Sequence, residues 1–132
     1  MAFSVANNNA IQEGIRFMAI VLFGDQSPEK VEKDITAEIV LGAPRQFVEL
    51  MYSGNNDTLK SGIWESSEGV FRAYYHGIVE FCHILEGGAV ITTSDGQSVM
   101  VKGGDGFVLE EGLETEWVVG DYIKKHFFIC NV

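Results

Sequence analysis

The fold is decided by the stretch Glu80-Phe81-Cys82-His83-Ile84-Leu85-Glu86-Gly87. In a β-strand, alternate side chains point to opposite faces of the sheet. If Glu80 points into the core, Cys82 and Ile84 point the same way. The opposite face then carries Phe81, His83 and Leu85. A carboxylate in an otherwise apolar inner row is costly unless it is paired, metal-bound or protonated, so this strand predicts both a buried core and a candidate site.

Many short apolar segments flank this strand, and Gly, Asp, Asn and Ser separate them. The candidate strands are Ile15–Phe23, Ala37–Leu41, Phe47–Tyr52, Gly62–Ser66, Val70–His76, Val79–Leu85, Ala89–Thr93, Ser98–Val101, Gly106–Leu109, Glu116–Val119 and Tyr122–Cys130. The predicted turns are Gly54–Asp57, Glu68-Gly69, Glu86–Gly88, Ser94–Gly96, Gly103–Asp105 and Gly120-Asp121. Short strands spaced about ten residues apart predict an all-β sandwich or barrel.

One short helix is also predicted, because Ser27-Pro28-Glu29 offers an N-cap, a proline at the first helical position and an acidic first turn. It would run to about Asp34. Apolar and polar residues alternate less clearly in residues 1–45 than in the rest of the chain, so we expect residues 1–45 to form an arm packed on the barrel. Residues 46–132 would then form the barrel itself, within a single domain.

Composition narrows the classes of function. The 132 residues include 9 basic and 19 acidic side chains, for a net charge of −10. This charge repels phosphate groups, so nucleic acid and anionic membranes are not expected as partners. No apolar run reaches the ~18 residues of a membrane span. Cys82 and Cys130 are far apart and form no CxxC pair, which favours reduced thiols and a cytoplasmic location.

A second stretch, Gly104-Asp105-Gly106-Phe107-Val108-Leu109-Glu110-Glu111-Gly112, completes a pair of motifs. Together with the first stretch, it resembles the two motifs of the cupin superfamily. The form resembles the small cupins related to (S)-ureidoglycine aminohydrolase. The matching residues are Gly62-Ile63-Trp64-Glu65, Phe81-Cys82-His83, Trp117 and Lys125. The resemblance implies a double-stranded β-helix, a jelly roll that usually pairs into dimers. A homodimer is also expected because sheet edges must be covered, and the apolar run Phe17–Phe23 could pair with a second copy.

The family pattern implies a divalent metal, held by His-x-His-x-x-x-Glu and a further His. In this sequence those positions are Tyr74, His76, Glu80 and Thr115. Imidazole and carboxylate ligands suit Mn, Fe, Ni or Zn, whereas neutral hydroxyls are poor ligands. Only His76 and Glu80 remain as good metal ligands. The alternatives are a weak metal site completed by water or substrate, and a polar interior that no longer holds metal. We favour the second and expect no tightly bound metal.

The candidate catalytic residues are His76, Glu80 and Lys125. Lys125 is implied by the family's last strand and is a partner for Glu80 if it faces inward. The candidate pocket residues are Trp64, Tyr74, Cys82, Thr115 and Trp117. We expect Tyr74, His76, Glu80, Thr115 and Lys125 to converge inside the barrel or at its mouth. Cys82 is expected to be a buried, inert thiol, since the sequence implies no adjacent base.

Three functions remain open. One is an enzyme that acts on a small polar metabolite, nitrogen-containing or carboxylated, with metal assistance or with His76 and Glu80 as acid and base and Lys125 holding an anionic group. The second is a non-catalytic domain that binds or senses a small molecule. The third is a structural dimer without a ligand. A fold-level resemblance cannot choose among them.

Overall fold

A computed structural model describes residues 19–132, and these residues form eight strands. The strands are β1 (Lys30–Lys33), β2 (Ile39–Leu41), β3 (Gln46–Gly54), β4 (Leu59–Tyr74), β5 (Ile78–Thr93), β6 (Ser98–Lys102), β7 (Gly106–Leu109) and β8 (Glu114–Asn131). Two short 3-10 helices, Phe23–Asp25 and Thr36–Glu38, precede β1 and β2. The described residues contain no α-helix, and none of their helices is long and apolar enough to cross a membrane.

The three longest strands form the framework. All pairings between strands are antiparallel, and the sheet runs β1-β3-β4-β8-β5-β6, with β2 beside β4 and β7 beside β5. Strand β8 lies between β4 and β5 along nearly its whole length. The long bent strands close the sheet into a jelly roll, which confirms the all-β double-stranded β-helix predicted from the sequence. Several side chains that face inward for the candidate site come from these three strands.

Three predicted turns are instead bends within long strands. Glu68-Gly69 lies inside β4, Glu86–Gly88 inside β5 and Gly120-Asp121 inside β8. The pairing register shifts near the first two, so each strand changes direction without ending. Gly87 shows why glycine is needed: its φ is +70°, and a Cβ there would lie 1.7 Å from the Tyr122 carbonyl oxygen. The turns at Gly54–Asp57, Ser94–Gly96 and Gly103–Asp105 do separate strands, as predicted.

The inner row of β5 has the predicted alternation. Glu80, Cys82 and Ile84 are buried, whereas Phe81 is 47% exposed. The last strand alternates likewise, with Ile123, Lys125 and Phe127 buried. The apolar core around them combines aromatic and aliphatic side chains: Trp64, Phe71, Tyr75, Ile91, Val101, Leu109, Trp117 and Val119. Burial of this surface is the main favourable contribution to folding.

The helix predicted from Ser27 to Asp34 is wrong. Lys30–Lys33 is strand β1, and Val31 pairs with Val48 of β3. The capping signal at Ser27 is local and weak, so strand pairing overrides it. Residues 15–18 of the candidate strand Ile15–Phe23 lie outside the described residues. Its described part, residues 19–23, is not a strand: Ala19 forms an isolated bridge, and Phe23 begins a 3-10 helix. Strands β1 and β2 of the expected arm pair with β3 and β4, and the division at residue 45 stays a prediction.

Candidate functional site

A buried ion pair lies at the centre of the barrel. Lys125 Nζ on β8 donates a hydrogen bond to Glu80 Oε2 on β5 at 2.7 Å. The two residues are 4% and 6% exposed. The thiol of Cys82 also donates to Glu80 Oε2, at 3.2 Å, and Lys125 Nζ lies 3.4 Å from its sulfur. The inward alternation of β5 and β8 therefore brings the carboxylate, the thiol and the ammonium group together.

Two indole rings flank the ammonium group. Lys125 Nζ lies 4.6 Å from the ring centroid of Trp64 and 5.0 Å from that of Trp117. The face of an indole ring attracts a cation, more strongly where water is excluded. Trp64 is the cross-strand partner of Lys125 in the β4–β8 pairing, which fixes this contact in the sheet.

Each indole N–H has a polar partner. Trp64 Nε1 donates to Gln46 Oε1 at 3.1 Å, and Trp117 Nε1 donates to Thr115 Oγ1 at 3.0 Å. Thr115 Oγ1 in turn donates to the backbone carbonyl of Ala73 at 2.9 Å. Buried polar groups without partners are costly, so these bonds hold both rings in place. The rings, and with them the ammonium group, are therefore fixed in position.

Burial and the ion pair together set the protonation states of Lys125, Cys82 and Tyr75. Burial alone would lower the pKa of Lys125, but the negative charge of Glu80 outweighs it, and the pKa is raised above its ordinary value. Burial raises the pKa of the Cys82 thiol to about 12. Burial likewise raises the pKa of the Tyr75 phenol above its usual range. At neutral pH, therefore, Lys125 keeps its charge, and Cys82 and Tyr75 stay neutral.

A cavity of about 470 Å³ opens beside the ion pair. Its buried lining includes Gln46, Trp64, Glu80, Trp117 and Lys125. Its exposed lining carries three cations, Lys33, Lys60 and Arg72, and the half-buried Glu38 is the other acidic lining residue. Among residues 19–132, none of these three cations forms an ion pair. The cavity therefore has a polar, ion-paired interior and a cationic mouth.

The cavity also contains an unused hydrogen-bond donor. Gln46 is 2% exposed, and its Nε2 has no partner among the described residues. Its Oε1 already accepts from Trp64. A buried donor without a partner is rare in native proteins, because it costs about 1–3 kcal/mol.

Comparison with known proteins agrees with this architecture. Residues 53–127 match the family of the EutQ-like cupin domain. The chain belongs to this cupin family. Among solved structures, the EutQ protein of Clostridium difficile superposes with a TM-score of 0.63 at 17% identity, covering 76% of this chain and 75% of that one.

Two further structures show the same cupin fold. A protein of unknown function from the DUF861 family of Pseudomonas syringae has a TM-score of 0.65 at 22% identity, over 78% of this chain and 43% of that chain. A putative ethanolamine utilization protein Q of Salmonella typhimurium has a TM-score of 0.57 at 15% identity, over 65% and 69% of the two chains. No protein of curated function matches. The finer resemblance to ureidoglycine aminohydrolase stays a prediction.

The side chains at the four positions of the cupin ligand pattern make contacts with other groups in this structure. Glu80 is bonded to the Lys125 ammonium group, and Thr115 uses its hydroxyl to hold Trp117. The His76 side chain is 61% exposed, and its Nε2 lies 3.1 Å from Glu114 Oε2. Within residues 19–132, no group of three or more His, Cys, Asp or Glu side chains could hold a metal ion. In this arrangement the four side chains are engaged with other groups, and the expectation that no metal is tightly bound stays a prediction.

Of the five residues expected to converge inside the barrel or at its mouth, Tyr74 lies at the rim of the cavity, and His76 is outside the cavity lining. Tyr74 is 47% exposed and stacks on His76, with ring centroids 6.1 Å apart. Strand β4 ends at Tyr74 and β5 begins at Ile78, so His76 lies in the connection at the rim. Strand alternation counted back from Glu80 does not hold across this turn. The buried aromatic residue there is Tyr75, at 4% exposure.

The predicted pocket residues divide into two groups. Trp64, Tyr74 and Trp117 line the cavity, whereas Cys82 and Thr115 contact lining residues from behind. Sequence reasoning missed Gln46, Tyr75 and the cations at the mouth. A glutamine at the start of a strand carries no recognisable motif. Lys33 lies on β1, whereas Lys60 and Arg72 lie at opposite ends of β4, and only the folded sheet brings them to one cavity.

Proposed function

We propose that this cupin binds a small carboxylate-bearing metabolite in the cavity of its barrel. The observation that supports the proposal is the pair of exposed lysines, Lys33 and Lys60, that line the cavity of a protein of net charge −10. Cations gathered at one opening, against the sign of the whole molecule, attract an anion of small size. The cavity volume, about 470 Å³, is in the range of small-molecule sites.

The buried groups favour binding over catalysis. A general base must give and take protons near the working pH. Lys125 holds its proton firmly, because its pKa is raised, and Cys82 is a neutral thiol with a pKa of about 12. His76 is at the exposed rim. Proton transfer by Glu80, Lys125 or His76 therefore stays a prediction with less support than binding.

Intrinsic fluorescence tests the proposal directly, because the protein's two tryptophans both line the cavity. The probes are N-acetylglycine, which carries a carboxylate, and the neutral N-acetylglycinamide of nearly the same size. We expect the carboxylate to change the emission and to bind about tenfold or more tightly than the amide, a difference of about 1.4 kcal/mol. Calorimetry would give the affinities independently.

Matched variants locate the binding. Lys33→Gln and Lys60→Gln should each weaken binding of the carboxylate by about two- to fivefold, because exposed charges contribute up to about 1 kcal/mol. Lys102→Gln is the control: it removes an exposed cation of β6 that does not line the cavity. Equal binding of the two probes, or equal losses in all three variants, would overturn the proposal.

We also propose that the protein forms a homodimer through an outer face of the barrel. Phe81 of β5 pairs in register with Val108 of β7 and Phe128 of β8, so the three form a row across the sheet. All three are exposed, at 39% to 55%. Light scattering should give about twice the chain mass of 14.6 kDa, and Phe81→Ser should shift it toward one chain. A single-chain mass for the unaltered protein would contradict the dimer.

A further inference from the structure

Gln46 stands apart from the other lining residues, because its carboxamide is only half used. Trp64 Nε1 can only donate a hydrogen bond, so the atom of Gln46 that faces it at 3.1 Å must be the oxygen. This fixes the orientation of the amide without ambiguity. The Nε2 donor is therefore the group that remains for whatever enters the cavity.

The need for a partner is intrinsic to the burial of this residue. Gln46 is 2% exposed and lines the cavity, yet Nε2 bonds to no atom of residues 19–132. Leaving such a donor unsatisfied opposes folding, whereas an acceptor oxygen brought by a ligand would remove the penalty. The indole of Trp64 holds the amide ready, so little ordering remains to be done on binding.

The charge beside Gln46 indicates which acceptor fits. Lys33 on β1 is the direct cross-strand partner of Gln46 on β3. Directly opposed residues of an antiparallel pair project to the same face, with Cβ atoms about 4.5–5.5 Å apart. Lys33 forms no ion pair with the described residues and lines the same cavity. An amide donor next to an unpaired ammonium group suits an anionic oxygen.

From this geometry we infer that Gln46 Nε2 and Lys33 form a carboxylate-recognition subsite, in which Gln46 donates a hydrogen bond to one carboxylate oxygen and Lys33 supplies the opposing charge. The inference rests on the proposed function and assigns it a specificity-determining residue. The subsite selects carboxylates over alcohols and amines of the same size. An alcohol offers a weaker hydrogen-bond acceptor, and a protonated amine is repelled by Lys33.

The test is the variant Gln46→Glu. Its side chain keeps an oxygen for Trp64 Nε1 and replaces the free donor with a second oxygen. We expect the affinity for N-acetylglycine to fall about tenfold or more, because an acceptor and a negative charge then face the carboxylate. The control is Gln97→Glu, which makes the same change of charge at an exposed turn between β5 and β6. Its affinity should equal that of the unaltered protein.

A second variant guards against a folding defect in the first. Gln46→Met has nearly the same length, no charge and no donor. It should also weaken binding by about fivefold or more, because the carboxylate oxygen loses its hydrogen-bond donor, and an unpaired buried polar group costs at least about 1 kcal/mol. Unchanged affinity in Gln46→Met, or in folded Gln46→Glu, would overturn this inference and leave the proposed function standing. Failure of the unaltered protein to bind N-acetylglycine, acetate and succinate would overturn both.

Discussion

Lys125 Nζ lies 2.7 Å from Glu80 Oε2 in the interior of the barrel, and each residue is less than a tenth exposed. Glu80 is the one buried carboxylate that this chain retains from the cupin ligand pattern. The ammonium group supplies it with positive charge and a hydrogen bond, and the indole rings of Trp64 and Trp117 surround that ammonium group. Each buried charge therefore has its counterion within the protein, which offsets the cost of removing both groups from water.

The first prediction concerns the stability that depends on this pair. Lys125→Met should lower the free energy of unfolding by about 3–5 kcal/mol, because it leaves the Glu80 carboxylate buried without a partner. The double variant Glu80→Leu/Lys125→Met should recover most of the loss, since neither charge remains. Urea unfolding followed by tryptophan fluorescence measures both.

The neighbouring residue Lys124 is the control for this experiment. It is half-buried, and its Nζ lies 3.8 Å from Glu86 Oε2. Lys124→Met should cost less than about 1 kcal/mol, as expected for a pair near the surface. A double variant as unstable as Lys125→Met would contradict the account of the buried charge.

The Glu80–Lys125 contact could be anticipated from sequence, but the place of His76 could not. Strand alternation applies within one continuous strand, and Glu80, Cys82 and Ile84 all lie in β5. Counting back from Glu80 to His76 crosses the start of that strand, and Gly77 there has a φ of +75°. The chain reverses its direction at this point, so alternation carries no information beyond it.

The glycines at which turns were predicted play two different roles, and the turn predicted at Gly87 is wrong. Gly96 and Gly104 lie in turns between strands, as expected. Gly87 lies inside β5, where the strand bends and the backbone of β8 approaches closely. A sequence shows that a glycine interrupts an apolar run, but only the paired strand shows whether the chain turns back or bends and continues.

The second prediction uses this difference. Gly87→Ala should lower the free energy of unfolding by more than about 3 kcal/mol, because the strain of a positive φ adds to a clash with the Tyr122 carbonyl. Gly96→Ala has a φ of +90° but open space around the added methyl group. It should cost about 1–2 kcal/mol, from backbone strain alone. Equal losses in the two variants would show that the close approach of β8 at Gly87 is unimportant.

The third prediction concerns thiol reactivity. Burial raises the pKa of Cys82 to about 12, and its side chain is fully enclosed, whereas Cys130 is half-buried. The thiolate is the reactive form. At about pH 8 the folded Cys130→Ser variant should therefore react with a disulfide reagent far more slowly than the same variant in urea. Rapid labelling of the folded variant would mean that the barrel opens readily or that the thiol is activated.

The last prediction concerns pH and the histidine pair on the outer face. His126 of β8 is the register partner of His83 of β5, with ring centroids 6.5 Å apart, and Phe23 packs edge-on against His126 at 5.3 Å. Burial, followed by the charges of His83 and Lys124, lowers the pKa of His126 below its ordinary value of 6.5. The unfolded chain therefore takes up this proton at a higher pH than the native protein does.

Stability should consequently fall as the pH drops through about 6.5, and His126 should contribute no further loss below its native pKa. His126→Gln should remove this part of the loss, so the difference in free energy of unfolding between the variant and the unaltered protein should change between about pH 7.5 and pH 5. Urea unfolding at several pH values measures it. His76→Gln is the control: because it retains His126, it should still lose the part of its stability that depends on His126 as the pH falls. A difference between His126→Gln and the unaltered protein that does not vary with pH would show that His126 binds its proton equally well in the native and unfolded states.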